Sequence, residues 1–216
     1  ESQPRCVALR WDENEEEDYD DTNHLQKLTA AERKNEADTH TVSFPYVITL
    51  VWLKKHQGRY HIQNVEIFFR NEPLNSMDDV LCAPNIVNCS PTNGHDSSVM
   101  CMGNLFSELQ RDGIVDPAEI AKRAVMSFWE TRFNWSHGDT WYEDYIADHN
   151  KFTLGSWEKA TAKDSNAGLK MAWKKLLPLN KHLEKFADTM GGALEYQNRP
   201  YHSQRIAALV HKENQK

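Results

Sequence analysis

Hydrophobic residues concentrate in two neighbouring segments of the chain, residues 42–54 and 59–70. Both segments are rich in β-branched and aromatic side chains, which favour strands. The four residues between them, 55–58, end in Gly58. A short linker with a glycine is typical of a hairpin, so the two segments predict an antiparallel pair of strands. Pro45 lacks an N–H for the ladder, which places it at a sheet edge or early in its strand.

Helical spacing predicts most of the remaining elements. Good helix formers over residues 22–38 indicate a surface helix. Asp116 followed by Pro117 is typical of a helix start, and this helix is expected to run to residue 133. Three further helices are expected near the end of the chain, over residues 156–177, 179–191 and 201–213.

The intervening segments have different signals. A short apolar stretch at residues 6–9 predicts one more strand, whereas the prolines and glycines of residues 71–105 predict a long loop. The whole pattern therefore predicts an α+β protein with an antiparallel sheet and flanking helices. We divide the chain into an acidic N-terminal segment, the sheet-containing domain and a helical C-terminal region: 1–21, 22–135 and 136–216.

Charge is unevenly distributed along the chain. The formal net charge is −7 over 216 residues, and eight carboxylates lie within residues 12–21. This acidic segment is either a solvated loop or a docking strip for a basic partner. Because no basic stripe accompanies it, the composition argues against binding to nucleic acid.

The apolar content also limits the environment in which the protein acts. No apolar run approaches the roughly 20 residues that span a bilayer, and the first residues lack the apolar core of a signal peptide. Four cysteines in a chain of this length do not form a disulfide framework, so we expect reduced thiols and a cytoplasmic setting.

Candidate chemistry concentrates within residues 81–105. Residues 84–86 read Pro-Asn-Ile, Asn88 follows, and residues 99–103 then read Val-Met-Cys-Met-Gly around Cys101. Beyond them the helix that begins at Asp116 carries Phe-Trp at 128–129 and Arg-Phe at 132–133. Two strands precede this entire series.

This order resembles the ubiquitin-conjugating enzyme (E2) fold, and most closely the divergent prokaryotic E2-like family of plasmid cassettes that encode ParB-related and ThiF-related proteins. The resemblance covers residues 42–135. It implies an E2-like antiparallel sheet, with a helical C-terminal extension beyond it. It also implies two protein partners, an E1/ThiF-like adenylating enzyme and a ubiquitin-like modifier. No cofactor is implied for the chain itself, because the partner consumes the ATP.

The resemblance assigns roles to individual residues. Cys101 would carry the modifier as a thioester and pass it to an amine, with Asn85 or Asn88 stabilising the oxyanion. Asn85 is the first choice because it lies in the Pro-Asn-Ile step. Gly103 and Asn104 would contact the tail of the modifier.

Other interpretations of the same residues stay open. Cys101 between two methionines is also typical of a core cysteine, and either asparagine is also typical of a turn. A non-catalytic E2-variant adaptor would bind the same partners without a thioester. Cys82, Cys89, His95 and Cys101 could instead hold zinc, although they lack the close pairs of zinc sites. The histidines at 137 and 149 could form a metal or hydrolase pocket, and they are equally typical of a surface loop.

Overall fold

The computed structural model describes residues 1–10, 39–86, 88–92, 96–130, 141, 145 and 153–189. Within them lie eight strands: β1 Arg5–Arg10, β2 Thr39–Phe44, β3 Tyr46–His56, β4 Arg59–Arg70, β5 Val80–Cys82, β6 Cys89–Thr92, β7 Ser97–Met100 and β8 Lys175–Pro178. The helices are α1 Leu105–Arg111, α2 Pro117–Glu130, α3 Leu154–Lys163 and α4 Leu179–Thr189, with a 3₁₀ turn at Ala167–Lys170.

The long hairpin of β3 and β4 is the centre of the fold, as its sequence predicts. The two strands pair antiparallel from Tyr46 opposite Arg70 to His56 opposite Arg59, with one irregularity between Trp52 and Leu53. Since β3 occupies one edge of β4, β5 and β7 both pair along the other edge. Strand β6 extends the sheet beyond β7, and β8 extends it beyond β5.

Pro45 divides the first predicted strand into two. Strand β2 ends at Phe44 and β3 starts at Tyr46, and β2 pairs with β1 in a separate two-stranded sheet. Because Pro45 has no N–H, a single uninterrupted ladder across this point is not available. Strand β1 confirms the strand predicted at residues 6–9.

The main sheet buries hydrophobic residues on both faces. Alternate residues of β4 point to opposite faces, so Val65, Ile67 and Phe69 enter the larger core, which helices α2 and α3 cover. Phe68 instead joins a smaller cluster with Leu81 and Leu179, and the latter begins α4. Helix α4 therefore packs on the face opposite to α2 and α3.

Two predictions about the second half of the chain are wrong. Residues 71–105 were expected to form a long loop, but they contain the three short strands β5, β6 and β7. Residues 156–177 were expected to form one helix, but α3 ends at Lys163 and β8 pairs antiparallel with β5. The region predicted to be helical thus supplies a strand of the main sheet. Tertiary pairing overrides local propensity here, since isolated segments of three or four residues carry no periodic signal.

Other predictions are confirmed at the level of class. The described residues form an α+β fold with an antiparallel sheet and few helices, and α4 matches the helix predicted from Leu179. Helix α2 begins at Pro117 as predicted. The helices predicted over 22–38 and 201–213 lie outside the described residues. None of the described helices is long and apolar enough to cross a membrane.

A close backbone contact fixes α3 and the 3₁₀ turn against β2. The N–H of Gly168 donates to Ser43 Oγ at 2.8 Å, and Trp157 Nε1 donates to the Ser43 carbonyl at 3.1 Å. The hydroxyl of Thr161 accepts from the Ser43 N–H at 2.9 Å. All of these groups are buried, and their hydrogen bonds to one another replace those that they would make with water.

Candidate functional site

Strands β6 and β7 present Cys101 at the surface. They pair from Thr92 opposite Ser97 to Cys89 opposite Met100, and the next N–H, that of Cys101, donates to the Asn88 carbonyl at 2.9 Å. Cys101 and Asn88 therefore extend the ladder by one position beyond the named strands. The thiol of Cys101 is exposed.

The chain turns sharply after Cys101. The N–H of Leu105 donates to the Met102 carbonyl at 2.9 Å, and Gly103 has a φ of +46°. A side chain is disfavoured at this φ, which accounts for the glycine. The turn brings α1 directly behind Cys101.

A groove of about 340 Å³ surrounds Cys101. Asn88, Cys101, Gly103 and Asn104 line its strand side, and α2 forms the opposite wall. Four residues that the resemblance singles out therefore share one groove. Cys101, Gly103 and Asn104 are exposed, so a partner can reach them from solvent.

Asn88 differs from its neighbours in the groove because its side chain is buried. The residue is 5% exposed, and its Oδ1 accepts a long contact of 3.9 Å from the Cys89 thiol. Its Nδ2 has no hydrogen-bond partner within the described part of the chain. A buried donor without a partner costs roughly 1–3 kcal/mol, and this Nδ2 is one of six such buried side-chain atoms among the described residues.

Asn85 occupies a different place. It is fully buried and does not line the groove, although it was the first choice from the sequence. The loop that holds it is tied to β8, since the Ala83 N–H donates to the Lys174 carbonyl at 2.8 Å. The buried hydroxyl of Tyr145 reinforces the tie by donating to the Ala83 carbonyl at 2.9 Å and accepting from the Lys174 N–H at 2.7 Å.

The other cysteines lie in different surroundings. Cys89 is fully buried in the larger core, and burial strongly raises the pKa of its thiol. Burial also raises the pKa of Cys82, against the opposing charges of Arg70 and Lys175. Cys6 is exposed, with its thiol 3.5 Å from the Ser165 carbonyl. Only an exposed thiol can meet a macromolecular substrate, which leaves Cys6 and Cys101 among the four.

The zinc interpretation finds no support in the placement of these thiols. Among the residues that the structure describes, no three His, Cys, Asp or Glu side chains are arranged to hold a metal ion. Cys89 points into the core and Cys101 is exposed to solvent. His95, His137 and His149 lie outside the described residues.

The sequence interpretation missed the charged side chains of the groove. Glu108 of α1 and Arg123 and Glu130 of α2 all line it, together with Met126. Met126 is 40% exposed, so the groove also offers apolar surface. The sequence does indicate that the α2 residues lie together, because positions 123, 126, 127 and 130 have the spacing of one helix face.

A second group of titratable residues lies on the opposite face of the sheet. Glu66 of β4 is fully buried, and its Oε2 accepts hydrogen bonds from both Trp52 Nε1 and His182 Nε2 of α4. Further along the helix, Lys185 forms an ion pair with Asp96. These contacts fasten α4 to the sheet and leave the pair inaccessible to a substrate.

Comparisons with known proteins leave the chain without an assigned family. No family model, no curated protein and no solved structure matches it. What the chain does must therefore be inferred from its own residues.

Proposed function

We propose that this chain carries a ubiquitin-like modifier as a thioester on Cys101 and passes it to an amine. One observation supports this above the others: the exposed Cys101 shares a groove with Asn88, whose Nδ2 is buried and has no hydrogen-bond partner among the described residues. Acyl transfer to and from a thiol requires a reachable sulfur and a donor for the carbonyl oxygen. The groove exposes the sulfur, and Asn88 beside it is our candidate for the donor.

The proposed chemistry proceeds through two acyl transfers. In the first, the Cys101 thiolate attacks the carbonyl carbon of the modifier's thioester on an E1/ThiF-like enzyme, and the thiolate of that enzyme leaves. In the second, an amine nitrogen attacks the new thioester, the C–S bond breaks, and the Cys101 thiolate leaves. The amine gives up its proton to solvent or to a nearby carboxylate.

Asn88 is our candidate for stabilising the charge in both steps. Each tetrahedral intermediate places a negative charge on the former carbonyl oxygen, and an amide N–H can donate to it. Because Asn88 Nδ2 is already desolvated, little further desolvation is needed when the donor bonds to the oxyanion. Asn85 lies outside the groove and is assigned a structural role instead.

The fold we propose is a divergent E2-like one. A long antiparallel hairpin precedes the Asn88–Cys101 step, and a helix with Phe128 and Trp129 follows it, in the order that the resemblance requires. The additional pairing of β8 with β5 is a departure from that pattern. The exposed turn at Gly103 and Asn104 would contact the tail of the modifier.

A peptide α-thioester tests the proposal without requiring the natural partners to be known. The purified full chain is mixed with the thioester, and intact mass followed by peptide mapping locates the acyl group. We expect a hydroxylamine-sensitive adduct on Cys101 that Cys101→Ala abolishes. Cys6→Ala, which removes the other exposed thiol, is the matched control and is expected to leave acylation unchanged. An adduct that maps to Cys6, or no adduct at all, would refute the proposal.

The role of Asn88 needs a separate measurement. The acylated protein is mixed with free lysine, which accepts the acyl group, and the loss of the adduct from Cys101 is followed over time. Asn88→Ala is expected to slow this aminolysis by about 10²–10³-fold, the usual effect of losing one oxyanion donor. Equal rates for the variant and the original chain would remove Asn88 from the mechanism.

The non-catalytic adaptor interpretation makes the opposite prediction for Cys101. An adaptor would bind the modifier or the E1-like partner equally well after Cys101→Ala, and it would form no thioester. The acyl adduct on Cys101 therefore separates the two functions.

A further inference from the structure

A second groove lies at the C-terminal end of α1, beside the tip of the β3–β4 hairpin. Its volume is about 210 Å³. Ile62 and Ile120 form its buried floor, Leu109 and Val115 form the walls, and Arg59 and His61 form part of the rim. We call it the hairpin groove. Small-molecule pockets usually measure roughly 300–1,000 Å³, so this volume suits one large side chain of a peptide.

The hairpin groove offers an apolar anchor point that the fold leaves open. Val115 is 47% exposed, in the loop between α1 and α2. Single exposed hydrophobic residues are ordinary at protein surfaces, but this one forms the wall of a concavity whose floor is already apolar. A bulky apolar side chain would bury Val115 there.

The rim of the hairpin groove is basic although the chain as a whole is acidic. Lys54, Lys55 and Arg59 lie at the exposed hairpin tip, and none of them forms an ion pair with a carboxylate of the described residues. The rings of His56 and His61 lie beside them, with centroids 6.4 Å apart and planes tilted by 59°. Within the described part of the chain, their charge is therefore not neutralised.

Carboxylates on the opposite side of the hairpin groove do not cancel this charge. Asp112 already pairs with Arg111 at 3.1 Å, and Glu119 pairs with Arg123 at 3.6 Å. Asp116 accepts from the Ala118 N–H at the start of α2. A ligand that suits the hairpin groove is thus an acidic peptide with a bulky apolar side chain.

The chain contains a segment with this chemistry. Residues 11–21 hold eight carboxylates together with Trp11 and Tyr19. This segment follows Arg10, which pairs with Thr39 at the start of β2, whereas the hairpin groove lies at the end of β3. The path through β2 and β3 separates the two along the chain, and we take the segment of a second copy as the occupant.

We propose that the hairpin groove binds the acidic segment, residues 11–21, of a second copy of this chain. An aromatic side chain of the segment occupies the apolar pocket, and its carboxylates face Arg59 and the neighbouring lysines. The contact joins unlike surfaces of two identical chains, so each copy offers one groove and one segment. Ion pairs between exposed groups weaken as salt is added, and the association is therefore salt-dependent.

Two complementary variants test the proposal by sedimentation of the full chain across a concentration series. The groove variant combines Arg59→Glu with Val115→Asp, both exposed positions whose change leaves the core intact. The segment variant converts the eight carboxylates of residues 12–21 to the matching amides. Lys159→Glu, an exposed lysine of α3 far along the chain, controls for the loss of a positive charge.

The expected results are specific to this contact. The original chain and Lys159→Glu self-associate at low salt, and 0.5 M salt reverses the association. Either variant alone raises the dissociation constant at least about tenfold. An equimolar mixture of the two variants associates again, because one supplies the segment and the other supplies the groove.

Three outcomes would overturn the proposal. A chain that stays monomeric at every concentration shows that the segment does not bind the groove of a second copy. This holds whether or not the segment binds the groove of its own copy. Association that survives in the groove variant places the interface elsewhere. Failure of the mixed variants to associate shows that segment and groove do not contact each other.

Discussion

Glu66 of β4 and His182 of α4 form a buried pair whose Oε2 and Nε2 atoms lie 2.9 Å apart. Neither side chain is more than 3% exposed. A carboxylate accepts hydrogen bonds and cannot donate them, so Trp52 Nε1 and His182 Nε2 both donate to the same oxygen. The pair therefore joins a helix to the centre of the sheet through one atom.

Glu66→Ala is expected to destabilise the protein severely. The change leaves two buried donors without an acceptor, and each such donor costs about 1–3 kcal/mol. The measurement is the free energy of unfolding in urea. Glu184→Ala, which removes an exposed carboxylate of α4, is expected to change the free energy of unfolding by less than about 0.5 kcal/mol. Similar values for the two variants would contradict this account of α4.

The cysteines are expected to react with an alkylating agent in the order of their exposure. Cys101 and Cys6 are exposed, whereas burial raises the pKa of both Cys82 and Cys89 and so disfavours their thiolates. Limited alkylation followed by peptide mapping should label Cys101 and Cys6 first and Cys89 only after unfolding. Early labelling of Cys89 would mean that β6 does not hold its thiol in the core.

Gly168 is expected to tolerate no side chain. A Cβ at this position would lie 2.0 Å from the Ser43 carbonyl oxygen, which belongs to the backbone and cannot move aside. Gly168→Ala should therefore lower the free energy of unfolding by about 3 kcal/mol. Gly155→Ala is the matched control.

The control should change stability in the opposite direction. Gly155 lies in α3, and a Cβ there would meet nothing closer than Thr153 Oγ1 at 4.0 Å. Alanine stabilises the middle of a helix by roughly 0.5–1 kcal/mol relative to glycine, and because Gly155 lies in the first turn we expect a gain at the lower end of this range. Thermal unfolding of both variants would test the close approach of the 3₁₀ turn to β2, and equal effects would show that this approach is absent.

Glu158 is expected to make part of the stability depend on pH. The Thr41 N–H donates to its carboxylate at 2.8 Å and His40 lies at 3.0 Å, and these two bonds lower the pKa of Glu158. A pKa lower in the folded than in the unfolded state stabilises the protein above the unfolded value. This contribution is then lost as the pH falls through the folded pKa.

Glu158→Gln isolates that contribution. The side chain is 36% exposed, so solvent screening limits the expected loss of stability at pH 7 to about 1 kcal/mol. Unfolding curves for the variant and the original chain should converge as the pH falls below 4.5, the ordinary value for this group. A constant difference from pH 7 to pH 3 would show that its charge is not involved.

The sequence predicts the elements whose signals are local. The hairpin of β3 and β4 follows from two long apolar runs and a glycine-containing linker, and α2 follows from Asp116 and Pro117. Strands β5 and β8 are three and four residues long, and only their mutual pairing makes them strands. No periodicity exists over so few residues, so the helix predicted across β8 was wrong.

The candidate site divides in the same way. Cys101 was selected from its neighbours in sequence, and the structure places it at the surface. The choice between Asn85 and Asn88 depends on which of them lies opposite Cys101 in the β6–β7 pair, which is a tertiary property. The buried pair of Glu66 and His182 joins residues far apart in sequence, so local patterns could not have found it.

The pairing of β8 with β5 has a consequence for how the protein is made. During translation β5 emerges from the ribosome long before β8, and its outer edge stays unpaired until residues 175–178 have been synthesised. The nascent chain must keep that edge from pairing with other chains throughout this interval. Completion of the main sheet therefore waits for the synthesis of residues 175–178, well after β3 and β4 can pair.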